Sequence, residues 1–255
     1  MGEQTDRRFD QAFGIDIGGS GIKGALVDTT TGALLTSRVR YPTPSPSTPD
    51  LVAELVARIV SEAGWEGLIG ATFPAVIKHG VALSAANVDP SWIGTDVDAV
   101  FTKATTGDVI VLNDADAAGI AEARFGAARG VSGVVIMLTF GTGIGTALFS
   151  GGKLFPNSEL GHLELRGMDA EKWASAHART AERLDFPGWI ARVNEYLEAL
   201  HRLLWPDVFI LGGAVSERFA EFAPLLRSPA QLRPAHFAGQ AGIVGAALAA
   251  AEAGG

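Results

Sequence analysis

Residues 13–24 read FGIDIGGSGIKG, a stretch in which two apolar runs flank a cluster of small residues. The pattern predicts a strand, a tight turn and a second strand. Glycines in such a turn allow a positive φ and let backbone N–H groups approach an anion closely. The candidate phosphate-binding residues of this turn are Gly18, Gly19, Ser20 and Lys23. The single acid of the first strand, Asp16, is a candidate for holding Mg²⁺ against phosphates, directly or through water.

The spacing of these glycines excludes two common nucleotide-binding loops. The G-x-x-x-x-G-K-[ST] spacing of a Walker loop is absent. A strand rather than a helix follows the turn, which is unlike a dinucleotide-binding fingerprint. For this stretch alone, an ordinary glycine-rich hairpin without a ligand is the alternative.

A second glycine loop follows another apolar strand, where residues 139–145 read TFGTGIG. Its small residues expose backbone N–H groups and its threonine adds a hydroxyl, which suits a second phosphate site. The candidate residues are Gly141, Thr142 and Gly143. Strand, glycine turn and strand thus occur twice, at 12–28 and at 133–149. This weak internal repeat predicts two similar lobes that face a cleft.

Asn113 and Asp114 come where a buried strand is predicted to end. A carboxylate in that position points out of the carboxyl edge of an open α/β sheet, where ligands bind. Asp114 is therefore a candidate general base for an attacking hydroxyl, with Asn113 orienting the same substrate. The alternative is that Asp114 only caps the helix predicted from Ala115, and the spacing favours neither.

Glu159 and His162 lie three residues apart after a polar turn. Such a pair suits recognition of sugar hydroxyls, which both donate and accept hydrogen bonds. A structural histidine, or half of a metal site, is the alternative, although no H-E-x-x-H motif accompanies the pair. Asn87 lies in a smaller polar island and is a candidate for the same ligand, or a plain turn residue.

The composition is that of a globular protein with a sizeable core. Of its 255 residues 47% are hydrophobic and 19% are charged, and the net charge is −8. This acidic surplus argues against nucleic acid as a partner. The chain has no cysteine, which excludes disulfides and thiolate metal sites. No apolar run approaches the ~20 residues of a membrane span and the first residues are polar, so we expect no membrane partner and a cytoplasmic location.

Local patterns also predict several individual strands and helices. We expect a third strand near residues 33–40, and another strand over 76–81. A helix is predicted to begin at Pro49, with Thr48 as its N-cap. Further helices are predicted over 170–179, over 216–226 and, rich in alanine, over 240–253.

Taken together, these motifs resemble those of the repressor–ORF–kinase (ROK) family of sugar kinases. The resemblance rests on the order of the Asp16 glycine turn, Asn113-Asp114, the second glycine loop and Glu159-x-x-His162, and it covers about residues 12–253. It implies an α/β fold of the actin/hexokinase superfamily, with two ribonuclease-H-like lobes around a central cleft. The implied lobes are residues 12–112 with 240–253, and residues 113–239. In the same way it implies Asp114 as general base, and as sugar ligands Asn87, Asn113, Glu159, His162 and Glu171.

Two departures from the family pattern refine this expectation. Many ROK kinases carry a cysteine-rich zinc site after the Glu-x-x-His region, whereas residues 167–175 here read GMDAEKWAS, so no zinc is expected. The chain is also short for an ATP-dependent member and resembles the members that use inorganic polyphosphate. The resemblance then implies phosphoryl transfer from polyphosphate, and possibly from ATP, to the 6-hydroxyl of glucose, with Mg²⁺ as cofactor and a homodimer as the assembly.

Three other functions stay open at the level of sequence. The first is a kinase that uses both polyphosphate and ATP on glucose and mannose. The second is a polyphosphate phosphatase of the same superfold, which would not need the polar sugar cluster. The third is a non-catalytic sugar sensor, although the 11 residues before the first strand are too few for a helix-turn-helix. For a polyphosphate groove the basic candidates, by position only, are Arg124, Arg129, Lys172 and Arg179.

Overall fold

The computed structural model of the protein describes residues 10–85, 88–105 and 107–254. The strands and helices begin with β1 (Gln11–Gly18), β2 (Gly21–Asp28), β3 (Val39–Tyr41), α1 (Pro49–Glu62), β4 (Ile69–Phe73), β5 (Ile77–Lys78), β6 (Val81–Ala82), α2 (Val97–Thr105), β7 (Val109–Asn113) and α3 (Asp114–Arg124). They continue with β8 (Val134–Phe140), β9 (Ile144–Ser150), β10 (Lys153–Phe155), β11 (Glu164–Leu165), β12 (Met168–Asp169), α4 (Ala170–Ala174), α5 (Ala176–Ala181), α6 (Phe186–Leu204), β13 (Val208–Gly212), α7 (Phe219–Phe222), β14 (Gln231–Pro234) and α8 (Ala241–Gly254).

The chain divides into two compact units. Unit 1 contains the described residues up to Ala121 and those from Gln240 onward, and unit 2 is Glu122–Gly239. The boundary therefore lies inside α3, whereas the sequence predicts it after Leu112. The first turns of α3 belong to unit 1 because α8 packs tightly on them: a Cβ added to Gly245 would lie 1.7 Å from the carbonyl oxygen of Ala117.

Unit 1 is built on a five-stranded sheet in the order β3-β2-β1-β4-β7. The strands β1, β2 and β3 are antiparallel neighbours, whereas β4 and β7 run parallel to β1. Because β1, β4 and β7 run in one direction, their carboxyl ends share one edge of the sheet. The glycine turn after β1 and Asp114 after β7 both lie at that edge.

Unit 2 repeats this arrangement with a sheet in the order β10-β9-β8-β13-β14. Here β8, β9 and β10 are antiparallel neighbours, and β13 and β14 run parallel to β8. Strand order and strand directions are thus the same in both units. This agreement confirms the predicted internal repeat and the predicted α/β fold class.

The C-terminal helix α8 packs on the sheet of unit 1 at backbone distance. A Cβ on Gly70 of β4 would lie 1.8 Å from the carbonyl oxygen of Ala246, and one on Gly14 of β1 would lie 2.0 Å from that of Ile243. No residue larger than glycine fits at either position. The alanines of α8 allow the same approach from the helix side, because they bury little side-chain volume.

Two predicted strands are shorter than expected. The third strand covers only Val39–Tyr41, because the side chain of Thr36 accepts the N–H of Leu26 and takes the place of a ladder bond. The strand predicted over 76–81 is instead the hairpin of β5 and β6. Its turn has positive φ at His79 and Gly80, which a continuous strand does not allow.

Two predicted helices are interrupted. The helix expected over 170–179 divides into α4 and α5, because Ser175 has an extended backbone and its side chain caps α5 by accepting the N–H of Ala178. The segment 216–226 is a succession of 3₁₀ turns around the short α7, with Pro224 inside the last turn. In contrast, α1 begins at Pro49 as predicted, although the Thr48 side chain forms no capping hydrogen bond.

Each unit has a core of its own with aromatic residues at its centre. In unit 1 the indole of Trp92 packs against Phe73 and Phe101, at centroid distances of 4.5 and 5.8 Å. In unit 2 the indole of Trp189 packs against Phe140 and Phe222, at 5.6 and 5.7 Å. Across the described residues, no helix has both the length and the apolar character that crossing a membrane demands.

Candidate active site

The glycine turn of unit 1 closes the hairpin between β1 and β2, with Gly18 opposite Gly21. The sequence suggests that its glycines supply a positive φ, but the structure contradicts this, since neither these two nor Gly19 has one. The missing side chains matter instead for space, because a Cβ on Gly21 would lie only 3.0 Å from Nε of Arg40. Within the described part of the chain, the N–H groups of Gly19 and Ser20 have no hydrogen-bond acceptor, so both can bind an anion.

Asp16 lies two residues before this turn and is held from two sides. The hydroxyl of Thr72 donates to its Oδ1 at 3.1 Å, and the ammonium of Lys23 lies 3.3 Å from its Oδ2. Thr72 is fully buried and also accepts the N–H of Ile17 at 3.0 Å. Gly242 leaves space beside the carboxylate, because a Cβ there would lie 2.9 Å from Oδ1. The carboxylate is therefore fixed in direction and has room beside it.

Asn113 and Asp114 have separate roles where β7 ends and α3 begins. The Asn113 side chain is buried: its Oδ1 accepts the N–H groups of Ala115 and Asp116 at 2.9 and 3.1 Å, and its Nδ2 donates to Ala75 O at 3.0 Å. The sequence did not decide whether Asp114 caps this helix, and in the structure the cap is mainly Asn113. Asp114 is only half-buried and its Oδ1 accepts the N–H of Ala115 at 2.9 Å. Asp114 lies at the carboxyl edge of the sheet, directly after the last residue of β7.

The second glycine loop, in unit 2, joins β8 to β9. Its Gly141 is already engaged, because its N–H donates to Gly143 O and its carbonyl accepts the N–H of His177, both at 3.0 Å. Of the described groups, none accepts the N–H of Thr142 or of Gly143. Thr142 is exposed. The loop thus offers an anion two N–H groups and one hydroxyl.

Glu159 lies in a turn that is fastened to strand β9. The buried hydroxyl of Thr146 donates to Ser158 O, and the Ser158 hydroxyl donates back to Thr146 O at 3.1 Å. Thr146 Oγ1 also accepts the N–H of Leu160 at 3.1 Å. These bonds fix the backbone on both sides of Glu159, so its carboxylate has a defined position although its side chain is 39% exposed.

Glu171 connects this turn to the second glycine loop. Its Oε2 accepts the N–H of Ile144 at 3.2 Å and fills space that a side chain on Gly143 would occupy. The imidazole of His162 lies between carboxylates, with its Nε2 3.8 Å from Glu159 and its Nδ1 4.0 Å from Glu171. The structure therefore brings Glu159, His162 and Glu171 together, as predicted.

The electrostatics of this cluster raise the pKa of one carboxyl. Burial raises the pKa of Glu159, and the nearby charge of Glu171 raises this pKa further, while His162 lowers it. Below the cluster, burial and then the charge of Glu171 raise the pKa of the Tyr196 hydroxyl. That hydroxyl is fully buried, and no acceptor for it exists among the described residues. Tyr196 remains a neutral donor next to Glu171.

One trio of side chains in unit 2 has a geometry compatible with a metal ion. His162, Asp169 and Glu171 each offer one ligand atom, and these atoms lie within 4.8 Å of one another. Asp169 is already paired, because the ammonium of Lys172 lies 2.8 Å from its Oδ2. The trio overlaps the sugar candidates.

The predicted residues thus form two groups, one in each unit. Unit 1 has Asp16, the glycine turn, Lys23, Asn113 and Asp114. Unit 2 has the second glycine loop, Glu159, His162 and Glu171. Asn87 lies outside the described residues, and its role stays a prediction.

Three residues near the candidate site were not predicted from the sequence: Thr72, Gly242 and Tyr196. Thr72 is the one hydroxyl in the buried run of β4, and a polar residue in such a run is a recognisable sign of a specific partner. Gly242 and Tyr196 belong to α8 and α6, far along the chain from Asp16 and from Glu171. No local pattern could have connected them to Asp16 or to Glu171.

These features define the class to which the protein belongs. The model of the ROK family matches residues 12–178, which is well over half of the chain. The chain therefore belongs to the ROK family, and the resemblance drawn from its motifs is confirmed.

Individual relatives show where in the family the chain lies. It is 47% identical to the polyphosphate glucokinase of Mycobacterium tuberculosis (strain CDC 1551 / Oshkosh), over 93% of this chain and 90% of that protein. The solved inorganic polyphosphate/ATP-glucomannokinase of Arthrobacter sp. strain KM is 49% identical, with a TM-score of 0.91 over 95% of this chain and 99% of that one. A ROK family glucokinase of Streptomyces griseus, solved with glucose and AMPPNP, is 25% identical, with a TM-score of 0.81 over 95% of this chain and 99% of that one.

Proposed function

We propose that the protein is a polyphosphate glucokinase, a phosphotransferase with an alcohol acceptor. It transfers the terminal phosphoryl group of inorganic polyphosphate to the 6-hydroxyl of glucose. The observation that carries the proposal is the position of Asp114, a half-buried acid at the carboxyl edge of the sheet, where β7 ends and α3 begins. This acid stands in a chain that is 47% identical to a polyphosphate glucokinase.

Asp114 acts as the general base. Its carboxylate accepts the proton of the 6-hydroxyl while that oxygen forms a bond to the terminal phosphorus and the bond to the bridging oxygen breaks. The products are glucose 6-phosphate and a polyphosphate shorter by one unit. Phosphoryl transfer requires mainly in-line positioning and neutralisation of charge, so an aspartate of ordinary basicity is sufficient.

Four described side chains hold the sugar. Glu159 and Glu171 accept hydrogen bonds from its hydroxyls, and His162 lies between them. One N–H of the Asn113 side-chain amide donates to Ala75 O, and the second N–H donates to the sugar. We keep Asn87 as a fifth sugar ligand on the strength of the family resemblance alone.

The phosphates bind to backbone N–H groups and to a few side chains. In unit 1 these are provided by Gly18, Gly19, Ser20 and Lys23. In unit 2 the loop of Gly141, Thr142 and Gly143 provides the N–H groups of Thr142 and Gly143, while the Gly141 N–H donates to Gly143 O and closes the loop. Loops of this kind suit the oxygens of a phosphate, because several N–H groups converge on one anion.

The residues around Asp16 fit Mg²⁺. The ion prefers carboxylate oxygen, water and phosphate as ligands, and Gly242 brings no side chain against Oδ1, where a Cβ would lie only 2.9 Å away. When bound, Mg²⁺ would neutralise charge on the phosphates. The Thr72 hydroxyl fixes the direction of Oδ1 by a hydrogen bond, and the Lys23 ammonium balances the negative charge on Oδ2.

The proposals on zinc, assembly, location and nucleic acid rest on composition and on the family resemblance. We expect no zinc, because residues 167–175 lack the cysteines that form the zinc site of many ROK kinases. A cytoplasmic homodimer is proposed from the family resemblance. The net charge of −8 supports the absence of a nucleic-acid partner.

One alternative has an observation of its own in its favour. The chain is 49% identical to a polyphosphate/ATP-glucomannokinase, so use of ATP as a second donor and of mannose as a second acceptor is the runner-up. A polyphosphate phosphatase and a non-catalytic sugar sensor rank below it. A phosphatase does not need the cluster of Glu159, His162 and Glu171, and a sensor does not need an acid in the position of Asp114.

A two-donor assay tests the proposal. Purified protein with Mg²⁺ and glucose receives either polyphosphate or ATP, and glucose 6-phosphate is measured. Product from polyphosphate alone is the expected result, and product from both donors supports the runner-up. Product from ATP alone contradicts the proposed donor. Phosphate release without sugar would establish the phosphatase.

The role of Asp114 is tested by Asp114→Asn, which removes the base and keeps the shape. We expect turnover to fall by about a thousandfold, the size of a general-base contribution, while calorimetry still detects glucose binding. Asp50→Asn is the matched control, because it removes the same charge from the exposed first turn of α1. An Asp114→Asn variant with the turnover of the Asp50→Asn control would refute the assignment.

A further inference from the structure

We propose that Arg40, acting with Lys23, forms a subsite for the second and later phosphates of the polyphosphate chain. The inference rests on the proposed function and deepens it, because it names the part of unit 1 that selects a long donor. Neither composition nor motif spacing points to Arg40. The strand pairing of unit 1 does.

The pairing register places four polar residues in one row across the sheet. Arg40 of β3 is directly opposite Lys23 of β2, and Lys23 is opposite Asp16 of β1. Asp16 in turn is paired with Thr72 of β4. Directly paired residues share a face of the sheet, so these side chains form a continuous polar line. Two strand spacings, about 9.5 Å, separate Asp16 from the edge position of Arg40.

This row does not balance its own charge. Lys23 is compensated by Asp16, at 3.3 Å. Arg40 is exposed and, within the described residues, forms no ion pair, hydrogen bond or cation–π contact. Two cations directly opposite each other destabilise a pair of strands. Placing Arg40 opposite Lys23 therefore costs stability, and no anion of the described residues compensates its charge. In an acidic protein, such a cation points to an anionic ligand.

The guanidinium of Arg40 lies directly over the glycine turn. Its Nε and Nη2 are 3.0 and 3.2 Å from the position that a Cβ on Gly21 would occupy. The same turn presents the N–H groups of Gly19 and Ser20. An anion bound by those groups therefore meets Arg40 as it leaves the turn. The planar fork of arginine suits phosphate oxygens, which it binds through two parallel hydrogen bonds.

The ligand class follows from the direction of the row. The chain of phosphates enters at the turn, where Asp114 and Asp16 share the sheet edge, and continues past Lys23 to Arg40. Other basic residues are less suitable: Lys172 is paired with Asp169, and Arg179 stacks on Phe186 with 4.4 Å between its guanidinium carbon and the ring centroid. A donor with several linked phosphates fits this row, whereas a single phosphate reaches only the turn.

The test compares Arg40→Gln, Arg40→Lys and a matched control, Arg202→Gln. Arg202 is an exposed arginine of α6, so the control removes the same charge far along the chain. The KM for glucose and for each donor is measured with long-chain polyphosphate and with tripolyphosphate, at low and high salt. Binding of tripolyphosphate without sugar is measured by calorimetry.

We expect Arg40→Gln to raise the KM for long-chain polyphosphate about tenfold, the effect of one charge-assisted contact, with little change in kcat or in the KM for glucose. The increase is smaller with tripolyphosphate and shrinks at high salt. Arg40→Lys gives an intermediate KM because it keeps the charge and loses the fork.

Two outcomes overturn the inference, and they are distinguishable. A wild-type protein that makes no product from polyphosphate overturns the proposed donor and this subsite with it. A wild-type protein active with polyphosphate, whose Arg40→Gln variant matches Arg202→Gln for every donor, overturns the subsite alone.

Discussion

Glu159 is a residue at which folding and ligand binding make opposite demands. Folding places its carboxylate partly out of water and near Glu171, which raises its pKa above the ordinary 4.5. Sugar recognition uses the ionised form, which is the stronger hydrogen-bond acceptor. A carboxyl with a raised pKa takes up its proton at a higher pH than usual. Glucose affinity should therefore decline on the acid side earlier than for an ordinary glutamate.

This decline can be measured as the KM for glucose against pH. In the wild-type protein the KM should rise as the pH falls towards the raised pKa of Glu159. In Glu159→Gln it should be high throughout and lack this acid limb, because the amide does not titrate. A wild-type profile that remains flat until the ordinary pKa of 4.5 is reached would contradict the argument.

The same shift predicts an effect on stability with a definite sign. Because the pKa is raised on folding, Glu159 favours the folded state only below its unfolded pKa and costs stability once the pH exceeds its folded pKa. Glu159→Gln should therefore raise the melting temperature at neutral pH, and the gain should vanish in acid. Glu54→Gln on the exposed side of α1 serves as the control. A gain that persists unchanged in acid would point to some other cause.

Thr72 supports Asp16 and the backbone of β1 with one hydroxyl. Thr72→Val keeps the shape but leaves the buried N–H of Ile17 unpaired, at a cost of about 2 kcal/mol. It also removes the donor to Asp16, so the apparent affinity for Mg²⁺ should fall. Thr72→Ser keeps the hydroxyl and should retain that affinity. Urea unfolding and Mg²⁺ titration of activity check both effects, and equal behaviour of the two variants would refute the role of the hydroxyl.

At this scale the sequence predicts the residues that carry chemistry better than those that support them. Asp16 and Asp114 stand out because each is an acid at the end of an apolar run. Thr72 and Arg40 acquire their roles from pairing between strands that are distant along the chain. Register depends on how the whole sheet assembles, so no window of sequence contains it.

Among the elements, the end of α3 depends on one buried carboxylate. Glu122 is fully buried, and its Oε1 accepts the N–H groups of His236 and Phe237 at 2.7 and 2.9 Å. Its Oε2 accepts the N–H of Ala127 at 2.7 Å. Glu122 is the first residue of unit 2, and the bonds it accepts fasten the segment that precedes α8.

Glu122→Gln should be strongly destabilising although it changes few atoms. The amide NH₂ cannot accept, so at least one part-buried N–H loses its partner, which costs about 2 kcal/mol. Glu217→Gln, at an exposed site in the same unit, is the matched control. Denaturant unfolding of the two variants tests the claim. Equal midpoints would show that the three N–H groups find other acceptors.

Element prediction succeeded where periodicity was long and failed where side chains terminate an element. The hairpin of β1 and β2 follows from two apolar runs, and the helix α8 follows from the alanine-rich segment predicted over 240–253. The short β3 depends on Thr36, and the division between α4 and α5 depends on Ser175, through hydrogen bonds from single hydroxyls. Such bonds compete with ladders and helices by small margins that patterns do not reveal.

For the whole molecule, the central fact is that one topology occurs twice with separate cores. Each sheet has three antiparallel strands followed by two parallel ones, and each core is centred on an aromatic cluster. The first two strands of each repeat were predictable from the two glycine turns. The division inside α3 was not, because it depends on the contact of Gly245 with Ala117.

Separate cores predict that each unit loses protection when its own core is damaged. Phe222→Ala removes a ring packed at 5.7 Å from Trp189 and should cost about 4 kcal/mol, as large-to-small core changes do. Hydrogen exchange should then accelerate at the amides of β8, β9 and β13, while β1, β4 and β7 stay protected. Phe101→Ala, at 5.8 Å from Trp92, should give the reverse pattern. If either variant accelerates exchange in both sheets to the same extent, the two units unfold as one cooperative structure and the repeat is a feature of topology alone.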